Sequence, residues 1–127
     1  MDKTRFIIIL ICIVLLCSCG GESALTYEQI SAEEAKKIMD SGAEYVLIDA
    51  RTDEEFDAGH IEGAIVIPEY EITERAEAEI PDKDTLILVY CRSGRRSKIA
   101  AEELVKLGYT NVKEFGGIID WEYEIVK

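Results

Sequence analysis

The stretch TLILVYCRSGRRSKIAAEELVKLG, residues Thr85 to Gly108, decides the fold. Thr85–Tyr90 is an apolar run that predicts a buried strand. From about Arg96 to Leu107 apolar residues recur at helical spacing, and Gly108 ends the predicted helix. The residues of that apolar helix face are Ala100, Ala101, Leu104 and Leu107. A strand, a short loop around Cys91 and a helix follow one another, which is the repeating unit of α/β proteins.

The flanking sequence repeats this alternation of strand and helix. Further strands are predicted at Tyr45–Ala50, Ala64–Ile67 and Val112–Phe115. Helices are predicted at Ser31–Ser41, in a short turn after Thr52, at about Ile72–Glu79 and around Trp121. Ser31 with Glu34 is expected to form a capping box at the first, and Thr52 caps the second with Glu55 three residues on. Such alternation predicts parallel strands in a sheet covered by helices on both faces. Ligands bind beyond the carboxyl ends of such strands, which is where Cys91 falls.

The loop around Cys91 is a local concentration of positive charge on an acidic chain. The chain has 14 Lys/Arg against 26 Asp/Glu, a net charge of −12, and four of its cations lie in Arg92–Lys98. Gly94 lets the loop turn, and the helix start directs backbone N–H groups toward one point. A cysteine at such a point is held as a thiolate, which predicts a nucleophile in an anion-binding cradle. The overall acidity argues against nucleic acid as a partner.

The first residues are typical of a secretory signal rather than of the fold. Met1–Arg5 is polar, and Phe6–Leu16 is an apolar run of eleven residues, shorter than a membrane span. Leu16-Cys17-Ser18-Cys19 resembles the lipobox of bacterial lipoproteins. That resemblance implies a signal peptide at residues 1–18, acylation of Cys19 with fatty acids such as palmitate, and a tether at residues 19–26. We therefore expect residues 27–127 to form one domain, anchored to a membrane on its extracytoplasmic face.

The alternative interpretation of this segment is an uncleaved anchor in which Cys12, Cys17 and Cys19 are merely buried. With Cys19 acylated in a processed chain, Cys91 is the remaining thiol. An unpaired cysteine outside the cytoplasm is either an inert core residue or a reactive one.

Three motifs together resemble rhodanese-like sulfurtransferases. They are Cys91-Arg92-Ser93-Gly94-Arg95-Arg96-Ser97, then DARTDEEFDAGHIEGAIVIP at residues 49–68, and lastly KLGYTNV at residues 106–112 with Gly116-Gly117 and Trp121. The resemblance covers about residues 27 to 122. It implies a rhodanese-like α/β fold, with a central, mostly parallel five-stranded sheet flanked by helices on both faces.

The resemblance also implies transfer of sulfane sulfur through a persulfide on Cys91. A small anionic donor such as thiosulfate would supply the sulfur, a thiophilic acceptor would remove it, and no cofactor or metal is involved. The N–H groups of Arg92 to Ser97 would bind the persulfide. Arg92 and Arg96 are the expected contacts to the donor's sulfonate, with Arg95 at the rim.

Two other functions remain open at this stage. Cysteine phosphatases, which resemble this chain in architecture, use Cys-x5-Arg, whereas Arg96 lies five positions after Cys91 and Ser97 occupies the sixth. The shorter loop favours sulfur over phosphate, and it argues equally against rhodanese-like arsenate reductases. A non-catalytic, membrane-tethered interaction module is the other alternative, although such domains usually lack the cysteine.

Three further residues are candidates for supporting roles. His60, the single histidine, occupies a family position where it is expected to organise a loop. Asp49 and Arg51 follow a strand on the active-site side, and an ion pair or loop-ordering contact is favoured over substrate binding. The acidic run Asp53–Asp57 has no His or Cys nearby, so a solvated helix face is favoured over a metal site.

Overall fold

A computed structural model describes residues 26–127 of the 127-residue chain. The predicted signal peptide, the lipidation site at Cys19 and nearly all of the predicted tether lie outside the described residues. Within residues 26–127, no helix is both long enough and apolar enough to cross a bilayer.

The described residues form an α/β fold around one five-stranded sheet. The strands are β1 (Glu28–Gln29), β2 (Val46–Asp49), β3 (Ala64–Val66), β4 (Ile87–Cys91) and β5 (Val112–Gly117). Their order across the sheet is β1-β5-β4-β2-β3, and every pairing is parallel. The predicted fold class is confirmed. Strand β4 lies at the centre, with β5 on one side and β2 on the other.

Helices cover both faces of this sheet. They are α1 (Ala32–Asp40), α2 (Asp53–Ala58), α3 (Ile72–Glu79) and α4 (Arg95–Lys106), with short 3₁₀ turns at Glu69–Glu71 and Ile118–Asp120. One core cluster joins α3 and α4 to one face, through residues such as Ala76, Val89 and Leu104. The other cluster packs α1 and Trp121 on the opposite face, around Tyr90 and Phe115. Both faces of β4 are therefore buried, in agreement with its uninterrupted apolar sequence.

Local sequence explains where the helices begin. Ser31 accepts a hydrogen bond from the Glu34 N–H, and the Glu34 carboxylate accepts one from the Ser31 N–H. Thr52 and Glu55 form the same reciprocal pair at the start of α2. Each capping box satisfies N–H groups that the first helical turn leaves without partners. Both boxes were predicted, and both are confirmed.

The structure differs from the predicted elements in three places. Strand β1 was not predicted, because two exposed polar residues carry no apolar pattern. Cys91 is the last residue of β4 rather than the first of the loop. Strand β5 continues through Gly117, and its pairing with β4 is irregular there. Val89 pairs with Glu114 and Cys91 pairs with Gly117, so one residue between the pairs on β4 lies opposite two on β5. This extra residue on β5 is a β-bulge beside the cysteine.

Candidate active site

Cys91 ends the central strand at the carboxyl edge of the sheet. Its side chain is 1% exposed, and the Gly94 N–H donates a hydrogen bond to Sγ over 3.0 Å. Gly94 is the residue immediately before α4 and has φ +110°, a conformation that strains residues with a side chain. The glycine therefore lets the loop reverse and direct its N–H toward the sulfur. The amino terminus of α4, whose dipole favours negative charge, begins at the next residue.

The end of β5 holds the first half of the cysteine loop by close backbone contact. A Cβ built on Gly117 would lie 2.0 Å from the Arg92 carbonyl oxygen and 2.6 Å from the Ser93 Cα. The Ile119 N–H donates to that same carbonyl oxygen over 3.2 Å. The loop is therefore fixed from the β5 side, and only glycine at position 117 permits the approach.

Arg96 is held by an acidic residue of α2. Its Nη1 lies 2.7 Å from Glu55 Oε1, and its Nη2 lies 3.0 Å from Glu55 Oε2. The paired bonds occupy one edge of the guanidinium, an arrangement that orients both groups. The structure thus gives Arg96 different contacts from those expected for a donor-binding arginine. Glu55 was interpreted from sequence only as a helix cap and part of a solvated acidic face.

Arg92, Ser93 and Arg95 are exposed around the entrance to the loop. Neither Arg92 nor Arg95 forms an ion pair with another residue in the range 26–127. The two exposed guanidinium groups are therefore available to an anion from solvent. Arg95, expected at the rim, is exposed, and so is Arg92.

Ser97 and Glu114 lie behind the loop, where both are buried. Ser97 Oγ donates to Glu114 Oε2 over 2.5 Å, and the Gly116 N–H donates to the same oxygen over 2.9 Å. Sequence reasoning placed Ser97 at the loop but missed Glu114. The run VKEF places two charged residues next to each other and does not alternate, so its pattern does not indicate that Glu114 is buried.

Asp49 and Arg51 belong to a buried network below the site. Arg51 Nη2 lies 2.7 Å from Asp49 Oδ2 and donates to the Gly59 carbonyl oxygen over 2.7 Å. The Tyr90 hydroxyl donates to Asp49 Oδ2 over 2.7 Å and accepts the Ile61 N–H. Burial, together with the negative charge of Asp49, raises the pKa of Tyr90, which keeps the hydroxyl protonated. The network ties β2, β4 and the segment before β3 together without contacting the sulfur.

Replacing Tyr90 with phenylalanine should destabilise the fold. The change leaves the Ile61 N–H without its acceptor and removes one donor from a buried carboxylate, a cost of about 1–3 kcal/mol. Chemical denaturation of Tyr90→Phe against the parent protein measures this loss. Tyr45→Phe is the control, because the Tyr45 hydroxyl has no hydrogen bond to another residue of the described range. Equal stability of Tyr90→Phe and the parent would contradict the role of the hydroxyl.

His60 organises the segment between α2 and β3. Its Nδ1 lies 2.9 Å from the Phe56 carbonyl oxygen, and its ring stacks on Phe56 with 3.7 Å between centroids. Its backbone exchanges two hydrogen bonds with Val126, each 2.8 Å long. These contacts attach the carboxyl-terminal segment to the loop after α2, which is the organising position expected from the sequence.

The contribution of the Glu55–Arg96 ion pair to the stability of the fold should depend on pH. The Arg96 guanidinium and the Thr52 hydrogen bonds lower the pKa of Glu55 from 4.5 to about 2. A carboxylate with a lowered pKa stabilises the fold fully above its unfolded-state value and loses that contribution as pH falls toward its folded-state value. Glu55→Gln should therefore cost about 1 kcal/mol at pH 7 and progressively less between pH 4.5 and about 2.

Denaturation curves from pH 7 to pH 3 check this expectation. Glu54→Gln is the matched control, since Glu54 is an exposed neighbour on the same helix. A stability difference between the parent and Glu55→Gln that stays constant across this range would contradict a charged pair.

A separate cleft of about 770 Å³ lies toward the amino edge of the sheet, away from Cys91. It is lined by the end of α1, by the residues before β2 and β3, and by the segment 121–124. It contains no cysteine, and within residues 26–127 no group of His, Cys, Asp or Glu side chains is arranged to hold a metal ion. The one Lys or Arg of its lining, Lys36, is paired with Asp40. The nucleophile and the exposed Arg92 and Arg95 lie at the opposite, carboxyl edge.

Known proteins are similar to this chain in sequence. A thiosulfate sulfurtransferase, PspE of Escherichia coli, is 44% identical over 73 residues, covering 58% of this chain and 70% of that protein. The putative sulfurtransferase YtwF of Bacillus subtilis is 36% identical over 97 residues, covering 76% of this chain and 92% of that protein. The chain covers only 55% of another relative, the putative sulfur carrier protein YrkF of Bacillus subtilis, at 36% identity.

Solved structures are similar as well. An Escherichia coli rhodanese with bound anions has a TM-score of 0.62 at 41% identity, over 65% of this chain and 98% of that one. A thiosulfate sulfurtransferase from Pseudomonas aeruginosa has a TM-score of 0.72 at 30% identity, over 79% of this chain but 20% of that one. The family model of the rhodanese-like domain matches residues 31–124, which include the whole cysteine loop and the strands on both sides of it. The chain belongs to the rhodanese-like domain family.

Proposed function

We propose that this protein is a sulfurtransferase that moves sulfane sulfur from thiosulfate, or a similar anionic donor, to a thiophilic acceptor through a persulfide on Cys91. The observation that carries the proposal is the hydrogen bond from the Gly94 N–H to Cys91 Sγ at the start of α4. Family membership supports sulfur transfer as the general activity. The donor and the covalent intermediate are proposed from the site.

In the first step, the Cys91 thiolate attacks the outer sulfur of thiosulfate. A bond forms between Cys91 Sγ and that sulfur, the S–S bond of thiosulfate breaks, and sulfite leaves with the bonding electron pair. The two products together carry the same charge as the two reactants, so no proton transfer and no base are required. This suits a site in which the hydrogen bond to the nucleophile comes from the backbone N–H of Gly94 rather than from a histidine.

In the second step, a nucleophilic acceptor such as cyanide or a thiol attacks the terminal sulfur of the persulfide. A new bond forms between acceptor and sulfur, and Cys91 leaves as a thiolate, which restores the starting state. Until then the terminal sulfur carries negative charge. The N–H groups of the loop from Arg92 to Ser97 are the donors available to stabilise it.

The arginines divide between two tasks. Arg92 and Arg95 are exposed at the entrance and are assigned to the sulfonate oxygens of the donor. The Arg96 guanidinium is hydrogen-bonded to the Glu55 carboxylate, so Arg96 is assigned to fixing the loop and to adding positive charge near the sulfur. This assignment moves Arg95 from the rim to donor binding and moves Arg96 away from it.

Thiosulfate turnover tests the proposal directly. The purified full chain is incubated with thiosulfate and cyanide, and thiocyanate is measured; an aryl phosphate serves as a parallel substrate. We expect thiocyanate and no phosphate release. The count of five residues from Cys91 to Arg96, one fewer than in the cysteine phosphatases that the sequence resembles, favours the smaller sulfur atom. Phosphate release alone would overturn the proposal, and neither product would favour the interaction module.

Removal of the exposed arginines should weaken donor binding. A charge-assisted hydrogen bond is worth about 1.5–3 kcal/mol, so Arg92→Ala and Arg95→Ala should each raise the KM for thiosulfate by roughly 10-fold or more, with a smaller change in kcat. Lys106→Ala, which removes an exposed cation at the far end of α4, is the control. An unchanged KM in both arginine variants would contradict the assignment.

Membrane attachment through acylated Cys19 is proposed on sequence grounds alone. Cys19→Ala should move the protein from the membrane fraction to the soluble fraction when cells are fractionated. Continued membrane association of the variant would overturn the lipid anchor and would leave the proposed sulfur transfer unaffected.

A further inference from the structure

Glu114 is a buried acid whose side chain links the end of β5 to the start of α4, directly behind the cysteine loop. It is 2% exposed, it lies on the central part of β5, and its Oε2 accepts both the Ser97 hydroxyl and the Gly116 N–H. Its other oxygen is 4.0 Å from Lys98 Nζ. Burying a carboxylate costs free energy unless its oxygens accept hydrogen bonds. The burial of Glu114 therefore calls for a role inside the fold.

The first contact fixes the bulge in β5. Gly116 has φ +91° and lies at the point where β5 carries one more residue than the opposing segment of β4. By accepting the Gly116 N–H, the Glu114 carboxylate closes this bulge. The bulge in turn places Gly117 and Ile119 against the Arg92 carbonyl, which anchors the first half of the loop.

The second contact fixes the first turn of α4. Ser97 Oγ has three oxygens within reach, and the shortest distance, 2.5 Å, is to Glu114; the Gly94 and Gly116 carbonyl oxygens lie 3.1 and 3.3 Å away. A hydroxyl has one hydrogen, so the carboxylate is the preferred acceptor. Ser97 lies three residues after Gly94, whose N–H is bonded to Cys91 Sγ.

We propose that Glu114 is a positioning residue for the nucleophile: through Ser97 and Gly116 it holds the two halves of the cysteine loop together and keeps the Gly94 N–H directed at Cys91 Sγ. The relevance of this role to turnover rests on the proposed sulfur transfer. The positioning itself is a property of the thiol and is measurable without any sulfur donor.

The test is the rate at which iodoacetamide modifies Cys91 in the full chain at neutral pH. The rate is read by mass spectrometry on the tryptic peptide that contains Cys91, so the other cysteines do not contribute. Glu114→Ala should lower the rate by about 10-fold, because the bulge and the helix turn lose their shared acceptor. Glu114→Gln retains an acceptor oxygen and should recover most of the rate. Val112→Ala is the matched control, since Val112 is a buried residue on the same strand.

Ser97→Ala provides a second route if Glu114→Ala does not fold. It removes one of the two donors to the carboxylate and should lower the rate by a smaller factor. Where Glu114→Ala folds, the rates of Ser97→Ala, Glu114→Ala and the double variant give the coupling between the two side chains. Independent effects in that cycle, or a Ser97→Ala rate equal to that of the parent, would overturn the pathway through Ser97.

The proposal is overturned if folded Glu114→Ala reacts within twofold of the parent. It is also overturned if Glu114→Gln is as slow as the alanine variant, or if Val112→Ala is equally slow. Turnover with thiosulfate adds a second readout: kcat should fall with little change in KM, because Arg92 and Arg95 are untouched. If Cys91 responds as expected and the parent protein transfers no sulfur, the proposed function fails and the positioning role stands.

Discussion

Cys91→Ser should reduce thiocyanate formation from thiosulfate and cyanide by roughly 10³-fold or more. Serine replaces a buried sulfur by a smaller oxygen that still accepts the Gly94 N–H, so the loop should keep its conformation. The hydroxyl is a far weaker nucleophile than a thiolate, and among residues 26–127 the hydrogen-bond partner of Cys91 Sγ is the Gly94 N–H and not a histidine that could act as a base.

Thermal unfolding of Cys91→Ser provides the necessary control. A melting curve close to that of the parent protein separates lost chemistry from lost structure. The variant retains Cys12, Cys17 and Cys19, so activity supported by those cysteines would persist in it. Substantial turnover by Cys91→Ser would mean that Cys91 is not the nucleophile.

Gly117→Ala should have the next largest effect, although no atom of Gly117 reacts. The added methyl group would lie 2.0 Å from the Arg92 carbonyl oxygen and 2.4 Å from the carbonyl carbon, both of which are backbone atoms that cannot rotate away. Either the cysteine loop or the end of β5 must shift. A displacement of about 1 Å at a reacting group costs about 10²-fold in rate, and overpacking costs about 1–3 kcal/mol in stability.

Gly116→Ala distinguishes steric conflict from backbone strain. Gly116 has φ +91° but no atom within 4 Å of a built Cβ, whereas Gly117 has φ −127° and a blocked Cβ position. Alanine at 116 should therefore cost about 1–2 kcal/mol in stability and keep most of the activity. Gly117→Ala should lower thiosulfate turnover by more than its loss of stability can explain. Similar thiosulfate turnover by both variants would contradict the contact between β5 and the loop.

The sequence allowed the local parts of this site to be predicted, because short segments determine them. The apolar run before Cys91, the turn at Gly94 and the periodic helix after it place a cysteine at the carboxyl edge of a sheet. The capping boxes at Ser31 and Thr52 were equally local. In each case the physical cause lies within a few residues of its effect.

The contacts that support the loop could not be predicted in this way. Arg96 reaches Glu55 across 41 positions of sequence, and Ser97 reaches Glu114 across 17. Pairings of this kind depend on how β2, β4 and β5 are ordered in the sheet, which periodicity does not determine. Tyr90 was assigned to an apolar strand, yet its hydroxyl joins the buried Asp49 network. The pair Gly116-Gly117 is recognisable in the sequence, but the sequence does not show which backbone atoms would clash with a side chain at position 117.

Mass spectrometry of the protein after brief exposure to thiosulfate, without an acceptor, tests the central claim most directly. The proposal predicts that the peptide containing Cys91 gains the mass of one sulfur atom, with an equal amount of sulfite released. Added cyanide should then return the peptide to its original mass and yield thiocyanate. An unmodified Cys91 peptide in protein that is converting thiosulfate to thiocyanate would contradict a persulfide on this cysteine.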